Sequence, residues 1–147
     1  MNWEHTAKEE LRSYTKLCAA QQNLRERIAA LEERKVAIRT STVSPVPTHG
    51  GGSQYEDKLL DTIVQLDGLR AELAATDAMV VLIERGLDAL TCNERLVLDK
   101  FYMNRTADYI NELCEALAVE RPTVYRIAKQ ALRDYTMAAY GAGMLMV

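Results

Sequence analysis

The sequence predicts an all-α protein, in which a long antiparallel two-helix coiled-coil hairpin precedes a C-terminal domain of three shorter helices. Three observations support this fold class. The 147 residues contain only three prolines, one Trp and one Phe, which is typical of a helical chain. Apolar residues recur at heptad spacing along two long stretches. Helix-start signals precede both stretches and also the C-terminal domain.

The first coiled-coil helix is predicted over residues 1–39. Thr6 and Glu9 have the spacing of a capping box, in which each side chain bonds to the backbone N–H of the other residue. The heptad positions that follow are Leu17, Leu24, Leu31 and Ile38, alternating with Tyr14, Gln21, Ile28 and Lys35. Their period of about 3.5 residues predicts an apolar seam along one side of the helix.

Residues 40–53 are predicted to form a flexible linker, because they contain Pro45, Pro47 and three consecutive glycines. Ser53 and Glu56 then form a second capping box, which predicts a second coiled-coil helix over residues 54–90. Its heptad positions are Leu59, Leu66, Leu73, Val80 and Leu87, alternating with Thr62, Leu69, Thr76, Ile83 and Leu90.

The two heptad seams admit two interpretations that are compatible with each other. They pack together within one chain as a hairpin, or they pair chains into a homodimer or a higher homo-oligomer. A hairpin of two helices buries little apolar surface alone, so we expect it to dimerise or to dock on the C-terminal helices. The residues assigned to oligomerisation are Leu17, Leu24, Leu31, Leu59, Leu66, Leu73 and Val80.

The C-terminal domain is predicted over residues 91–147. Thr91 and Glu94 form a third capping box, which begins a short helix that ends at Asn104. Two further helices are expected at about 106–118 and 121–137. Cys114 is small enough to let these two helices cross closely, which is the requirement of a helix-turn-helix. The turn departs from the commonest pattern, since Ala118 stands where a glycine is usual and Glu120 where a hydroxyl cap is usual.

The last helix is predicted to have one apolar and one basic face. Its helical period places Val124, Ile127, Ala128, Ala131 and Tyr135 on the inner side. The outer side has the donors that a DNA major groove accepts. We therefore predict contacts with double-stranded DNA from Arg121, Thr123, Tyr125, Arg126, Lys129, Gln130 and Arg133. The alternative is an ordinary solvated basic face.

A resemblance to a known family is visible at these residues. The segments Leu90-Thr-x-x-Glu-Arg-x-Val-Leu98 and Leu113-Cys-x-x-Leu-x-Val-x-x-x-Thr-Val-Tyr-Arg-Ile-x-Lys-x-Ala-Leu132 resemble the fourth region of sigma-70-type factors. They are more similar to phage and prophage transcriptional regulators of the ArpU/RinA type. The resemblance implies activation of phage late or packaging genes through promoter DNA, with RNA polymerase as a further partner.

Two other function classes remain open. A small-terminase-like packaging subunit also combines a helix-turn-helix with helical oligomerisation, although it usually places the DNA-binding module first. A coiled-coil interaction protein without specific DNA binding is the other alternative.

Several other classes are not expected. The three cysteines and two histidines lack the spacing of a zinc site, so no metal or other cofactor is predicted. No phosphate-binding loop or nucleophile motif is present, and we predict no catalytic residue and no enzyme activity. No signal peptide or 18-residue apolar run is visible, which predicts a soluble intracellular protein without membrane association. The resemblance to phage regulators implies that this compartment is the cytoplasm of a bacterial host.

Overall fold

The computed structural model describes residues 2–40 and 51–146. These residues form five α-helices and no strand, which confirms the predicted all-α class. Helix α1 is Trp3–Thr40, α2 is Gly51–Asp88 and α3 is Cys92–Leu98, which continues as a π-helical turn over Asp99–Met103. Helix α4 is Tyr109–Leu117 and α5 is Arg121–Tyr140, followed by a 3₁₀ turn at Ala142–Met146.

The starts of both long helices differ from the prediction. Helix α1 begins at Trp3, because the Asn2 side chain accepts from the backbone N–H groups of Glu4 (3.0 Å) and His5 (3.4 Å). Asn caps a helix as well as Thr does, so the earlier cap is used and the predicted capping box at Thr6 is wrong. The Thr6 hydroxyl instead donates to the carbonyl of Asn2 at 3.2 Å.

The predicted linker over residues 40–53 is only partly within the described chain. Thr40 belongs to α1, and α2 begins at Gly51, before the predicted capping box at Ser53. Glycine costs only about 1 kcal/mol relative to alanine in a helix, so its presence did not exclude helix at residues 51 and 52. The rest of the linker prediction, residues 41–50, lies outside the described residues.

The chain divides into two compact units. The first, here called the hairpin unit, is Ala19–Ala78. The second, the terminal unit, combines Met1–Cys18 with Met79–Val147. The predicted boundary between residues 90 and 91 therefore does not separate these units, because the first turns of α1 and the last turns of α2 pack with the C-terminal helices.

The hairpin unit is an antiparallel pair of helix segments that meet along the predicted seam. Leu24 is 3 % exposed and Leu66 is 1 % exposed, and all the other heptad positions of this unit are buried or half-buried. The Gln21 amide donates to Asp77 at 2.6 Å, and Glu32 forms an ion pair with Arg70. An early residue of one segment thus contacts a late residue of the other, which establishes the antiparallel direction.

The terminal unit has two clusters of buried side chains, and α5 contributes to both. The first core cluster joins α1, α2, α3 and α5; it contains Ala7, Leu11, Ile83, Leu87, Leu98, Ala131, Leu132 and Tyr135. The second core cluster joins α3, its π-helical turn, α4 and α5; it contains Val97, Phe101, Ile110, Leu113, Val124 and Ala128. Helix α5 is therefore held along its length, which orients its outer face.

Candidate nucleic-acid interface

Helix α3 begins as the sequence predicts. The Thr91 hydroxyl accepts from the Glu94 N–H at 3.2 Å, and the Glu94 carboxylate accepts from the Thr91 N–H at 3.2 Å. The capping box is therefore complete, and it satisfies backbone donors that the first turn leaves without partners. This cap fixes the start of the helix that carries Val97 and Leu98 into the two core clusters.

Helices α4 and α5 pack through the second core cluster. Leu113 of α4 is 1 % exposed and Val124 of α5 is fully buried. Cys114 is half-buried and packs against the same cluster, at the position where the prediction required a small residue. Helix α4 begins at Tyr109, three residues later than expected, because residues 107–108 form a turn.

The turn between α4 and α5 depends on a strained alanine. Ala118 has φ 54° and ψ 46°, the left-handed conformation that favours glycine. Its N–H bonds to the carbonyls of Cys114 and Glu115, and the Val119 N–H donates to the Cys114 carbonyl at 3.1 Å. Glu120 occupies the N-cap of α5 without a side-chain cap bond, and Pro122 lies in the first turn. The two departures from the commonest turn pattern therefore have structural consequences. Ala118 has a strained backbone, and Glu120 leaves the start of α5 without a side-chain cap.

Ala118→Gly is expected to raise the free energy of unfolding by up to about 1 kcal/mol. Relief of the left-handed strain outweighs the extra backbone entropy of glycine in the unfolded chain. Ala74→Gly, at an exposed position inside α2, provides a control of opposite sign, with an expected loss of about 1 kcal/mol. Urea denaturation followed by circular dichroism measures both. A lower free energy of unfolding for Ala118→Gly would contradict the inference that the backbone of Ala118 is strained.

The two faces of α5 are divided as the sequence predicts. The inner positions are buried or half-buried; they are Val124, Ile127, Ala128, Ala131 and Tyr135. Of the seven residues predicted to contact DNA, six are exposed: Arg121, Tyr125, Arg126, Lys129, Gln130 and Arg133. Thr123 is half-buried. The geometry therefore leaves the outer face accessible to a partner.

The positive charges of this face have no acidic partner among the described residues. Arg121, Arg126, Lys129 and Arg133 form no ion pair there. Lys100, outside α5, differs from them because its ammonium lies 3.4 Å from the Glu112 carboxylate. Unneutralised positive charges on one helix face produce a local positive potential, although the net charge of the chain is −3.

Glu112 is held by two neighbours near the start of α4. Its carboxylate accepts from the Thr106 hydroxyl at 2.8 Å, and this hydrogen bond, together with Lys100, lowers the pKa of Glu112 below its usual value. The Glu112 side chain is therefore ionised at neutral pH, and its negative charge pairs with the positive charge of Lys100. The partners of Glu112 are Lys100 and Thr106, so this carboxylate pairs with none of the basic residues of α5.

Two of the predicted contact residues also have neighbours within the protein. The Tyr125 ring packs edge-on against Phe101, with 5.8 Å between ring centroids. The Gln130 amide donates to Asp134 at 2.9 Å. Tyr125 is nevertheless 51 % exposed, so its ring is held by Phe101 and still accessible.

Sequence reasoning missed a residue that borders the basic face. Trp3, in the first turn of α1, lines a surface depression together with Arg126, Lys129, Gln130 and Arg133. The four α5 residues recur at the spacing of one helix stripe, so they form one wall of the depression. No local pattern connects Trp3 to this stripe, because more than a hundred residues separate them along the chain.

A buried carboxylate near the same end of α1 was also missed. Glu10 is 8 % exposed and accepts from the hydroxyls of Tyr135 (2.8 Å) and Tyr140. Burial, reinforced by the nearby Glu10, raises the pKa of both tyrosines, so they remain neutral donors at physiological pH. These bonds tie the C-terminal half of α5 to α1 and position the helix that carries Trp3.

The residues assigned to oligomerisation are buried or half-buried by packing within the chain. Leu24, Leu66 and Val80 are at most 4 % exposed. The others are half-buried: Leu17, Leu31, Leu59 and Leu73. The seam is thus packed within the chain, while four of its leucines keep part of their surface exposed. Val36, Leu60 and Val64, outside the seam, are each about 60 % exposed. Oligomerisation stays a prediction.

Within residues 2–40 and 51–146, no group of His, Cys, Asp and Glu side chains has the arrangement of a metal site. In the same residues, no helix is both long enough and apolar enough to cross a membrane. Comparisons with protein-family models, curated proteins and solved structures find no match to this chain. The resemblance to ArpU/RinA-type regulators therefore stays a prediction, carried by the residues of the predicted helix-turn-helix.

Proposed function

We propose that this chain is a sequence-specific double-stranded DNA-binding transcriptional regulator that places α5 in the major groove. One observation carries the proposal: the exposed face of the second helix of a helix-turn-helix bears four basic residues without acidic partners, Arg121, Arg126, Lys129 and Arg133. The phosphates of DNA supply the negative charge that this face lacks. The buried inner face of α5 supports the proposal, because a helix fixed by its core presents its outer side chains in one orientation.

The residues are proposed to divide into two roles along α5. Arg121, Thr123 and Arg126 lie near its start and would meet base edges, as the first turns of a recognition helix do. Lys129 and Arg133 lie further along and would neutralise phosphates. Tyr125 and Gln130 could serve either role. Half-burial of Thr123 limits it to a short contact close to the backbone of α5.

The resemblance extends the proposal to biological context. It suggests activation of phage late or packaging genes in the cytoplasm of a bacterial host, with RNA polymerase as a second partner. A homodimer would place two recognition helices on two half-sites of one operator. The half-buried leucines of the heptad seam, among them Leu31 and Leu73, are the surface proposed for this dimer.

The test is a selection of bound duplexes from a fragment library of the source genome, at a physiological salt concentration of about 0.15 M. The double variant Arg126→Ala/Lys129→Ala is the control. Enrichment of a site upstream of a gene cluster, lost in the control, supports a regulator. Enrichment inside or beside a packaging gene favours a terminase-like subunit instead. If no fragment is enriched, the DNA-binding proposal fails and an interaction protein becomes the better interpretation.

Single variants separate the two roles on the selected site. Arg126→Ala is expected to cost about 1–3 kcal/mol of binding free energy and to relax the preference for one base. Lys129→Ala is expected to weaken binding to all sequences alike, and to reduce the slope of log K against log salt by about 0.9. Fluorescence anisotropy on matched and mismatched duplexes measures both. Equal effects of the two variants on every duplex would contradict the division of roles.

A further inference from the structure

Trp3 is fixed beside the basic face of α5. The Asn2 side chain caps the first turn of α1, and Trp3 packs against the first core cluster. Trp3 is half-buried, and it lines the depression together with Arg126, Lys129, Gln130 and Arg133. This aromatic side chain is therefore held in place before any partner binds.

The charges around the depression favour an anion. Arg126, Lys129 and Arg133 contribute three positive charges at the spacing of one helix stripe, and no acidic side chain in the described chain pairs with them. Like charges at this spacing repel each other, so a bound anion would lower the free energy of the face. The depression is neither enclosed nor flat, so one group of an extended polymer can enter it from its open side.

The indole adds chemistry that lysine and arginine lack. It has a single N–H donor and no acceptor, together with a broad apolar face. A phosphodiester group beside a deoxyribose matches this pair of features, because the phosphate oxygens accept and the sugar is largely apolar. A base edge matches it less well, since base edges present both donors and acceptors.

We propose that the depression binds one phosphodiester group of the DNA backbone, with Trp3 against the adjoining deoxyribose and its N–H donating to a phosphate oxygen. Lys129 and Arg133 supply the neutralising charge. This inference rests on the proposed function and extends it: the first turn of α1 becomes part of the DNA-binding surface. Trp3 then sets how α5 is oriented on the duplex without reading the sequence.

The wild-type chain contains its own probe, because Trp3 is its only tryptophan. Acrylamide quenching of the intrinsic fluorescence is measured with and without a saturating amount of the selected duplex. We expect the duplex to protect Trp3, so that the quenching constant falls severalfold. Inorganic phosphate and heparin are parallel probes that separate a free anion and a generic polyanion from duplex DNA.

A variant tests the N–H donor separately from the packing of the ring. Trp3→Phe keeps an aromatic ring against the core and is expected to weaken duplex binding about tenfold, as for a lost hydrogen bond to a charged group. The loss should be the same on matched and mismatched duplexes, and the salt slope should not change. Tyr14→Phe is the control, because it removes a hydroxyl from the same helix away from the depression. The affinity of Tyr14→Phe for the duplex should equal that of the wild type.

The outcomes distinguish the failure of this inference from the failure of the proposed function. Duplex binding without protection of Trp3, and with Trp3→Phe equal to the wild type, would overturn the backbone contact and leave the regulator proposal intact. Protection of Trp3 by phosphate or heparin without any duplex binding would overturn both. Protection by the duplex, with the expected loss in Trp3→Phe, would support both. Circular dichroism checks that each variant retains the helical fold.

Discussion

Replacing Tyr135 by alanine is expected to lower the free energy of unfolding by about 3–5 kcal/mol, the range for deleting a buried aromatic ring. Tyr135 is fully buried in the first core cluster, where α5 meets α1, α2 and α3. A Cβ added to Gly86 of α2 would lie 2.5 Å from two carbons of the tyrosine ring. The ring therefore fills space that only a glycine leaves open, and alanine would leave a cavity there.

Tyr135→Phe is the matched control for this prediction. Phenylalanine keeps the ring but removes the hydroxyl that donates to Glu10 at 2.8 Å. One oxygen of the buried carboxylate then lacks this donor, for which we expect a loss of about 1–3 kcal/mol. Urea denaturation followed by circular dichroism measures both variants. Equal losses would mean that the ring contributes nothing beyond its hydrogen bond, contrary to its position in the core.

The second large effect is expected in the hairpin unit. Leu66→Ala should cost about 2–5 kcal/mol, because Leu66 is 1 % exposed in the seam between the two helix segments. Leu60→Ala is the control on the same helix, since Leu60 is 60 % exposed and lies outside the seam. A substitution at such a surface position should change stability by no more than about 0.5 kcal/mol.

Light scattering on the same two variants tests what the seam joins. A seam that acts within the chain predicts that Leu66→Ala loses stability while the mass in solution stays that of the wild type. A seam that joins chains predicts a lower mass at concentrations where the wild type is assembled. A lower mass for Leu60→Ala would instead assign the contact between chains to the exposed apolar residues outside the seam.

The sequence determined those features that depend on local periodicity. The heptad seam of the hairpin, the inner face of α5 and the capping box at Thr91 are all present where the pattern predicts them. Each rests on residues within a few turns of one another, and a helix brings such residues to one face whatever the rest of the chain does. The predicted DNA-contacting residues are exposed for the same reason.

Helix ends were less well determined. Asn2 and Thr6 are both good N-caps, and local sequence does not rank them; the structure uses Asn2. Consecutive glycines predict that no helix forms, but α2 begins at Gly51. The free-energy cost of glycine in a helix is small enough to allow this start. The heptad pattern likewise left open whether the seam joins segments of one chain or of two. Only the tertiary structure decided that Leu24 and Leu66 are buried within one chain.

Helical periodicity does not predict contacts between residues that lie far apart in the sequence. Glu10 accepts from Tyr135 and Tyr140, and Trp3 lies beside Arg126 and Lys129, across more than a hundred residues of intervening chain. A helical period states which side of a helix is apolar, but it does not state which helix packs there. That choice depends on complementary shape and on the pairing of buried polar groups, which exist only once the helices have met. The sequence alone thus determined the face proposed to bind DNA, whereas the tertiary structure determined its neighbour, Trp3.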